Sequence, residues 1–352
     1  MSLKFLTSSQ GAQEYLETDY FKQMNQLELI YRLDSLGADY QKDDNCQTLR
    51  KKLINTYTTL TLDFTDKEKN VVDFYFRQLF NLLWKKAPGL IPTKKPIGLI
   101  KLSPNVDWDY PYTIGHSIII PSVFLSSLIA VYQQHVDQLG RTSEEVWNLT
   151  RPNYDAINQK NLTLCHELIH ILQRNTQLYP GHQTIFDFIY EQIWGFKKIR
   201  KSQIKFPHIS EEQFFNVLTN PDGYNFQWLM PVYNHDTNSN HLFLPLLSRN
   251  LANKPVGILV EVTENRNPQK EIYYLITKHW NFIYDIKRYS EKFYGLDKQL
   301  YHPHEISSHL ISNYVMLDHI YSDTQDTFDY YKFYRFINKY LVSMNFTPFR
   351  DR

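Results

Sequence analysis

The chain has 352 residues, enough for two lobes with a sizeable core, and its formal net charge of +1 argues against nucleic acid as the main partner. No apolar run is long enough to span a membrane, and the N-terminus lacks the apolar core of a secretory signal. Because only two cysteines occur, we expect no disulfide framework and a location in the reducing cytoplasm or another intracellular compartment.

The first 90 residues are predicted to be mainly helical. Their apolar spacing predicts helices over residues 13–24, 26–36, 46–58 and 66–86. Thr65 and Glu68 have the spacing of a capping box, which places the start of the last of these helices at Asp66. We interpret residues 1–64 as a helical N-terminal extension.

Two strands are predicted next, over residues 97–102 and 112–120. The segment 103–111 between them is rich in turn-forming residues. Pro121 follows the second strand and marks its end.

Residues 162–174 are predicted to form a helix inside the domain. The segment contains neither Gly nor Pro. Two apolar stripes at helical spacing flank a stripe of polar side chains, Thr163, His166, His170 and Gln173. A helix that is apolar on both flanks is buried. The polar stripe must therefore face a cleft, a network of partner side chains or a metal ion.

His166 and His170 have the spacing of two ligands to one metal ion. They are four residues apart, so on a helix both imidazoles project from one face. Glu167 lies one step round the helix, where its carboxylate can hold and deprotonate a metal-bound water. The alternative is a core helix whose histidines bond to neighbouring side chains. Burying two His and a Glu together would be costly without an ion or such partners, which favours the metal.

This His-Glu-Leu-Ile-His segment resembles the motif of the zincins, the zinc metalloprotease superfamily. Their consensus has an uncharged residue before the first His and hydrophobic residues between and after the histidines, as here at Cys165, Leu168, Ile169, Ile171 and Leu172. The chain does not resemble the metzincin branch, because Gln173 and Thr176 stand where its Gly and third His would be. The resemblance therefore points to the gluzincin branch, whose third zinc ligand is a Glu on a later helix.

Two glutamates are candidates for that third ligand. Glu191 lies about one helix downstream, close to the short gluzincin spacing but not on it. Glu305 follows Pro303, which marks a helix start, and the segment 301–314 resembles gluzincin-like proteases of bacteria and large DNA viruses. We favour Glu305. His309 stands where gluzincins usually have an Asp that orients the first His ligand, so the partner of that ligand stays open.

The remaining segments are predicted to alternate between helix and sheet. Residues 185–200 are predicted to be helical, and residues 220–223 to form a turn. Three strands follow at regular spacing, and residues 281–342 are again predicted to be helical; the strands cover 241–247, 256–263 and 271–277. The predicted division is a zincin-like N-lobe over residues 65–200 and a C-terminal lobe over residues 201–352.

The resemblance also implies a substrate site. Residues 112–120 take the place of the zincin edge strand, which precedes the catalytic helix and pairs with an extended substrate. The substrate-binding candidates on this strand are Thr113, Gly115, His116 and Ile118. An oxyanion stabiliser is also required. The sequence leaves five candidates open for that role: Tyr224, His235, His241, Tyr301 and His302.

Taken together, these patterns predict an α+β fold with a small mixed sheet and a C-terminal lobe that carries a β-meander and a ligand helix. The resemblance implies a metallopeptidase in which His166, His170 and Glu305 hold one zinc ion and Glu167 is the general base, acting on a protein or peptide substrate. Two alternatives stay open: an inactive zincin fold that binds protein partners, and a metal-dependent hydrolase of a non-peptide bond. A broad cleft beside residues 112–120 would favour peptide, and a closed pocket would favour the non-peptide bond.

Overall fold

The computed structural model describes residues 2–41, 43–92, 94–139, 151–175, 178–179, 181, 186–205, 217–218, 227–234, 239–249, 255–276, 281–282, 302–316 and 339. These residues form helices and two separate sheets, in agreement with the predicted α+β class. No helix among them is both long enough and apolar enough to cross a membrane.

The helices lie in both the N-terminal and the C-terminal parts of the described chain. They are α1 (Ser8–Glu17), α2 (Gln26–Ser35), α3 (Cys46–Leu60), α4 (Asp66–Lys86), α5 (Ser122–Leu139), α6 (Arg151–Arg174) and α7 (Pro303–Met316). Short 3-10 turns cover Tyr20–Gln23, Pro88–Leu90, Asp107–Asp109 and Lys201–Gln203, and a π-helical turn covers Ile189–Ile193.

Contacts divide the chain into two compact units. One consists of residues 1–18, 54–183 and 308–352, and the other of residues 19–53 and 184–307. The boundary at residues 307 and 308 falls inside a single continuous helix, α7. The predicted division at residues 64 and 200 stays a prediction.

The sheet of the first unit has five strands among the described residues: β1 (Leu3–Phe5), β2 (Thr61–Leu62), β3 (Ile97–Leu102), β4 (Tyr112–Ile114) and β5 (Ser117–Pro121). Their order is β1-β3-β5-β4, with β2 beside β3. β3 is parallel to β1 and β5, and β4 is antiparallel to β5. α6 packs against α4, α5, β4 and β5, so the His-containing helix lies in the core of this unit.

Capping boxes fix the starts of α1 and α4. The Thr65 hydroxyl accepts a hydrogen bond from the Glu68 N–H at 3.3 Å, and the Glu68 carboxylate accepts from the Thr65 N–H at 2.8 Å, as predicted. An equivalent box at Thr7 and Gln10 starts α1 at Ser8. The predicted helix over residues 13–24 was therefore wrong at both ends, because this box was overlooked and the backbone at Thr18 is extended.

Residues 112–120 form a hairpin and not the single strand that was predicted. Gly115 has a φ of 55°, in the left-handed region that a glycine adopts without strain. Gly115 and His116 form the turn, which brings Ile114 opposite Ser117. A glycine inside a predicted strand is a sequence signal for such a break.

The second unit contains a largely antiparallel sheet. Its strands are β6 (Lys197–Ile199), β7 (Ile204–Lys205), β8 (Val217–Leu218), β9 (Gln227–Asn234), β10 (Ser239–Arg249), β11 (Pro255–Arg266), β12 (Ile272–Ile276) and β13 (Asn281–Phe282). Within the described residues the order is β6-β9-β10-β11-β12-β7, with β8 beside β10 and β13 beside β11. The predicted meander corresponds to β10, β11 and β12, which pair in sequence.

Several details of this unit differ from the prediction. β9 was missed because Pro231 lies within it, and proline argues against a strand. The helix predicted over residues 185–200 is wrong at its end, because Gly195 has a φ of 70° and is followed by β6. Asn281 and Phe282 are in a strand where helix was predicted. The predicted turn at 220–223 lies outside the described residues, as does most of the predicted helix at 281–342.

Gly115→Ala should destabilise the first unit by about 1–2 kcal/mol, because any side chain with a Cβ is strained at a left-handed φ. The added Cβ would also lie 3.2 Å from Glu14 Oε2. Gly115→Asn is the matched control, since asparagine tolerates this conformation better. Urea unfolding should show a smaller loss of unfolding free energy for the Asn variant than for the Ala variant. Equal stability of all three proteins would contradict the proposed turn strain.

Candidate metal centre

The two apolar flanks of α6 are buried as predicted. Of the predicted stripe residues, Leu164, Cys165, Leu168, Ile169, Ile171 and Leu172 are fully buried, while Leu162 is only partly covered. Three of the four residues of the polar stripe are also buried, with exposed fractions of 7% for His166, 0% for His170 and 1% for Gln173, while Thr163 is partly covered. These polar groups must therefore be satisfied inside the protein.

His166 and His170 direct the same ring nitrogen towards one point. Their Nε2 atoms are 2.9 Å apart, and the rings meet at an interplanar angle of 84°. His170 Nδ1 lies 2.7 Å from the amide oxygen of Gln173. An amide oxygen can only accept, so His170 Nδ1 donates a proton to it and the Nε2 lone pair is directed at His166. A lone pair in that position suits a metal ligand.

α7 is held against α6 by hydrogen bonds that begin one turn after Glu305. Gln173 Nε2 donates to Ser308 Oγ at 3.1 Å, and Ser308 Oγ lies 3.3 Å from His170 Nδ1. Further along α7, a bond to another helix follows: Lys86 Nζ, at the end of α4, donates to the Tyr314 carbonyl at 3.1 Å. Residues three apart on a helix share a face, so the bonds of Ser308 also orient Glu305.

His166, His170 and Glu305 together can hold a metal ion. Each offers one ligand atom, these atoms lie within 4.8 Å of one another, and all three residues are buried. Ligands that are each about 2 Å from one ion lie at most about 4 Å apart, so small side-chain movements would suffice. Two imidazole nitrogens and one carboxylate oxygen fit a first-row divalent ion such as Zn²⁺.

Glu305 and Glu191 differ clearly in position. Glu305 is 2% exposed and lies in the first turn of α7, which begins at Pro303 as the sequence predicted. Glu191 is exposed in the π-helical turn. Among the residues that the structure describes, Glu305 is the glutamate that completes the group with the two histidines.

Three further side chains lie beside the ligands. Glu167, the predicted base, is 5% exposed on α6. The His309 ring lies against that of His166, with centroids 4.7 Å apart, so an imidazole contacts the first ligand at the position where an orienting Asp was expected. Cys165 is fully buried, and burial raises the pKa of its thiol well above the ordinary value.

The four predicted substrate-binding residues lie in different parts of the hairpin. Thr113 is in the outer strand β4, but it is buried, and its carbonyl accepts from Arg174 Nη1 at 3.2 Å. Ile118 is in the inner strand β5 and is fully buried. Gly115 is exposed in the turn, and its carbonyl accepts from Asn175 Nδ2 at 2.9 Å. The fourth residue, His116, is buried beside this turn. The role of these residues in substrate binding stays a prediction.

His116 makes two hydrogen bonds within the first unit. Its Nδ1 donates to the Pro96 carbonyl at 3.1 Å, which leaves Nε2 to accept from the Tyr179 hydroxyl at 3.1 Å. Burial lowers the pKa of His116, and the positive charge of Lys95 lowers it further. The imidazole is therefore a neutral group that links the hairpin to the segments on either side of it.

Of the five candidates for the oxyanion stabiliser, two make hydrogen bonds to other groups and three lie outside the described residues. His302 Nδ1 accepts from the backbone N–H of His304 at 3.1 Å, which caps the start of α7. His241 pairs with Glu261 across β10 and β11 at 2.5 Å. The other three, Tyr224, His235 and Tyr301, lie outside the described residues.

The sequence reasoning missed the side chains that connect the ligands. Gln173 was assigned only to the polar stripe, and Ser308 and Arg174 received no role. Gln173 stands three residues after His170, which is a spacing at which helical side chains meet, so that contact was accessible from the sequence. The bond to Ser308 joins residues 135 positions apart and has no local signal.

Comparison of the chain with protein-family models, with curated proteins and with solved structures returned no match. What the chain can do chemically therefore follows from its own residues, above all from the buried group of two histidines and one glutamate.

Glu305→Gln should weaken binding of Zn²⁺ strongly, because a neutral amide replaces a charged oxygen ligand. Glu191→Gln is the matched control and should bind Zn²⁺ as the wild type does, since Glu191 is exposed and lies outside the group. Bound zinc per chain after dialysis, and the rise in unfolding temperature on adding Zn²⁺, would measure this difference. A loss of zinc in the Glu191 variant alone would refute the assignment.

The low pKa of His116 predicts an acid-sensitive contribution to stability. The unfolded chain takes up a proton at this residue near its ordinary pKa of about 6.5, before the folded protein does. The contribution is therefore complete above about pH 6.5 and is lost as the pH falls through the lower folded pKa. His116→Gln does not titrate, so its unfolding free energy should fall less between about pH 7.5 and about pH 5. If the unfolding free energies of wild type and variant fall equally over this pH range, the prediction is contradicted.

Proposed function

We propose that this protein is a zinc-dependent peptidase that hydrolyses peptide bonds with a water activated at the His166–His170–Glu305 group. The observation that supports the proposal most directly is the geometry of this group. Two histidines of a His-Glu-x-x-His segment and a distant glutamate, all buried, have ligand atoms within 4.8 Å of one another. That donor set is typical of catalytic zinc sites with three protein ligands.

The nature of the ligands supports zinc and a hydrolytic role. Three protein ligands leave one coordination position for water or substrate, which is what separates a catalytic from a structural zinc site. A bound Zn²⁺ would supply Lewis acidity, lowering the pKa of a water towards neutrality and polarising the scissile carbonyl. The residues of this chain must then orient the reactants and move the proton.

Glu167 is the residue proposed to move the proton. It follows His166 directly on α6 and is buried, so its carboxylate is shielded from bulk solvent. In the proposed reaction its carboxylate takes a proton from the attacking water and then delivers it to the leaving amine. No other change of protonation on the protein is required by this sequence of steps.

β4 is the proposed docking edge for a peptide. Its support is its place at the end of the strand order and its packing against α6. A peptide that adds to this edge would bond to the backbone of Thr113, whose carbonyl now accepts from Arg174 Nη1. In this mode a peptide N–H would share the Thr113 carbonyl with Arg174 or displace it.

A second candidate is hydrolysis of a non-peptide bond by the same group. The burial of Thr113 and the small exposed fractions of the ligands favour a compact substrate over an extended chain. The same roles for Glu167 and the ligands would apply to an ester or a small amide. Parallel assays with a peptide library and with a panel of esters and small amides would separate the two candidates.

Glu167→Gln should retain zinc and abolish hydrolysis, with kcat reduced by at least about 100-fold, because the ligands remain and only the base is lost. The measurement is turnover of the substrate class that the wild type accepts, together with bound zinc per chain. Glu191→Gln makes the same chemical change at an exposed position and should keep wild-type turnover.

Undiminished turnover by the Glu167 variant would exclude the proposed mechanism. If the wild type binds zinc but hydrolyses neither peptides nor the smaller substrates, the proposed enzymatic function fails and the alternative of a partner-binding protein gains support.

A further inference from the structure

Gln173 connects the ligand helices from a fully enclosed position. It is 1% exposed and lies one turn after His170 on α6. Its side-chain amide makes two hydrogen bonds: the oxygen accepts from His170 Nδ1 at 2.7 Å, and the nitrogen donates to Ser308 Oγ at 3.1 Å. A buried glutamine is costly unless its amide is bonded, so both contacts constrain its orientation.

The first bond determines which nitrogen of His170 carries the proton. Because the amide oxygen cannot donate, Nδ1 must hold the hydrogen and Nε2 must present its lone pair. The bond also fixes the rotation of the imidazole ring. Metal-ligating histidines commonly use their second nitrogen in this way, and loss of the partner lowers metal affinity.

The second bond acts on the helix that carries Glu305. Ser308 stands three residues after Glu305, on the same face of α7. The amide nitrogen of Gln173 therefore sets the position of α7 at the turn next to Glu305, while its oxygen sets the ring of His170. A side chain without polar atoms could fulfil neither of these functions.

We propose that Gln173 is a positioning residue of the metal centre, whose amide orients His170 through its oxygen and aligns Glu305 through Ser308 with its nitrogen. This inference rests on the proposed metal site but not on the proposed hydrolysis. It assigns to a neutral side chain a function for which a carboxylate is the common choice.

The test compares two substitutions that remove or displace the hydrogen-bond acceptor at position 173 with one substitution that keeps it in place. Gln173→Leu has a similar volume and no polar atoms, and Gln173→Asn keeps an amide that is one methylene too short. Gln173→Glu keeps an oxygen at the same distance from His170 and can accept a hydrogen bond from Ser308 in turn. Gln159→Leu is the matched control, because Gln159 is exposed on the same helix. Zn²⁺ affinity is measured by competition with a chromophoric chelator, and ligand geometry by the visible spectrum of bound Co²⁺.

The Leu and Asn variants should each bind Zn²⁺ about 10–100-fold more weakly than the wild type, with an altered Co²⁺ spectrum. The Glu variant should bind at least as tightly as the wild type, with the wild-type spectrum, because a carboxylate accepts strongly from an imidazole N–H. Gln159→Leu should match the wild type in both measurements. Unfolding without metal identifies any variant that fails to fold; the Asn variant, which adds no apolar group next to Ser308, then decides the question.

Wild-type affinity and spectrum in a folded Asn or Leu variant would overturn the inference, and the proposed function would stand if Glu305→Gln still loses zinc. Failure of the Glu variant to restore affinity would also overturn it, since the acceptor would then not be what matters. If the wild type binds neither ion, the metal site fails, and with it both proposals.

Discussion

The burial of a polar stripe on α6 is the constraint on which the rest of the centre depends. The helix is apolar on both flanks and packs in the core of the first unit, so His166, His170 and Gln173 between the flanks are shielded from bulk water. Histidines and amides in such a place must be satisfied by other protein groups or by an ion. Gln173 and Ser308 satisfy the second histidine, and the facing Nε2 atoms of His166 and His170 are arranged for an ion that would bind both.

α7 is held in a defined position beside these polar groups because hydrogen bonds anchor it at more than one place. Ser308 bonds to Gln173, and Lys86 bonds to the Tyr314 carbonyl two turns later. Tyr190 and Ser307 make a further hydrogen bond of 2.7 Å on the preceding residue of the helix. The helix therefore cannot rotate without breaking several buried hydrogen bonds, each of which would leave an unsatisfied group. A long sequence separation between ligands is compatible with a defined site for this reason.

Features with local signals were predictable from the sequence. The capping box determined the start of α4, neighbouring turn residues indicated β3, the regular spacing of three strands indicated the meander, and Pro303 favoured Glu305 over Glu191. Other features depended on longer-range packing. Pro231 argues against a strand, but it lies beyond the residues of β9 that pair with β6 and is opposite a neighbour only in β10, at Leu242. The turn at Gly115 is an exception, because a glycine within a predicted strand is itself a local signal for a break. The hydrogen bonds from Gln173 to Ser308 and from Arg174 to Thr113 join distant segments, and no pattern within either segment indicates them.

The complete burial of Cys165 has a practical consequence for chemical labelling. The only other cysteine in the chain, Cys46, is partly exposed at the start of α3. A thiol that is inaccessible and stays protonated reacts slowly with maleimides and with oxidants, because the thiolate is the reactive form. A fluorophore or spin label can therefore be attached selectively at Cys46 in the native protein. The residue next to the first histidine is left unmodified, and no cysteine has to be removed by mutation.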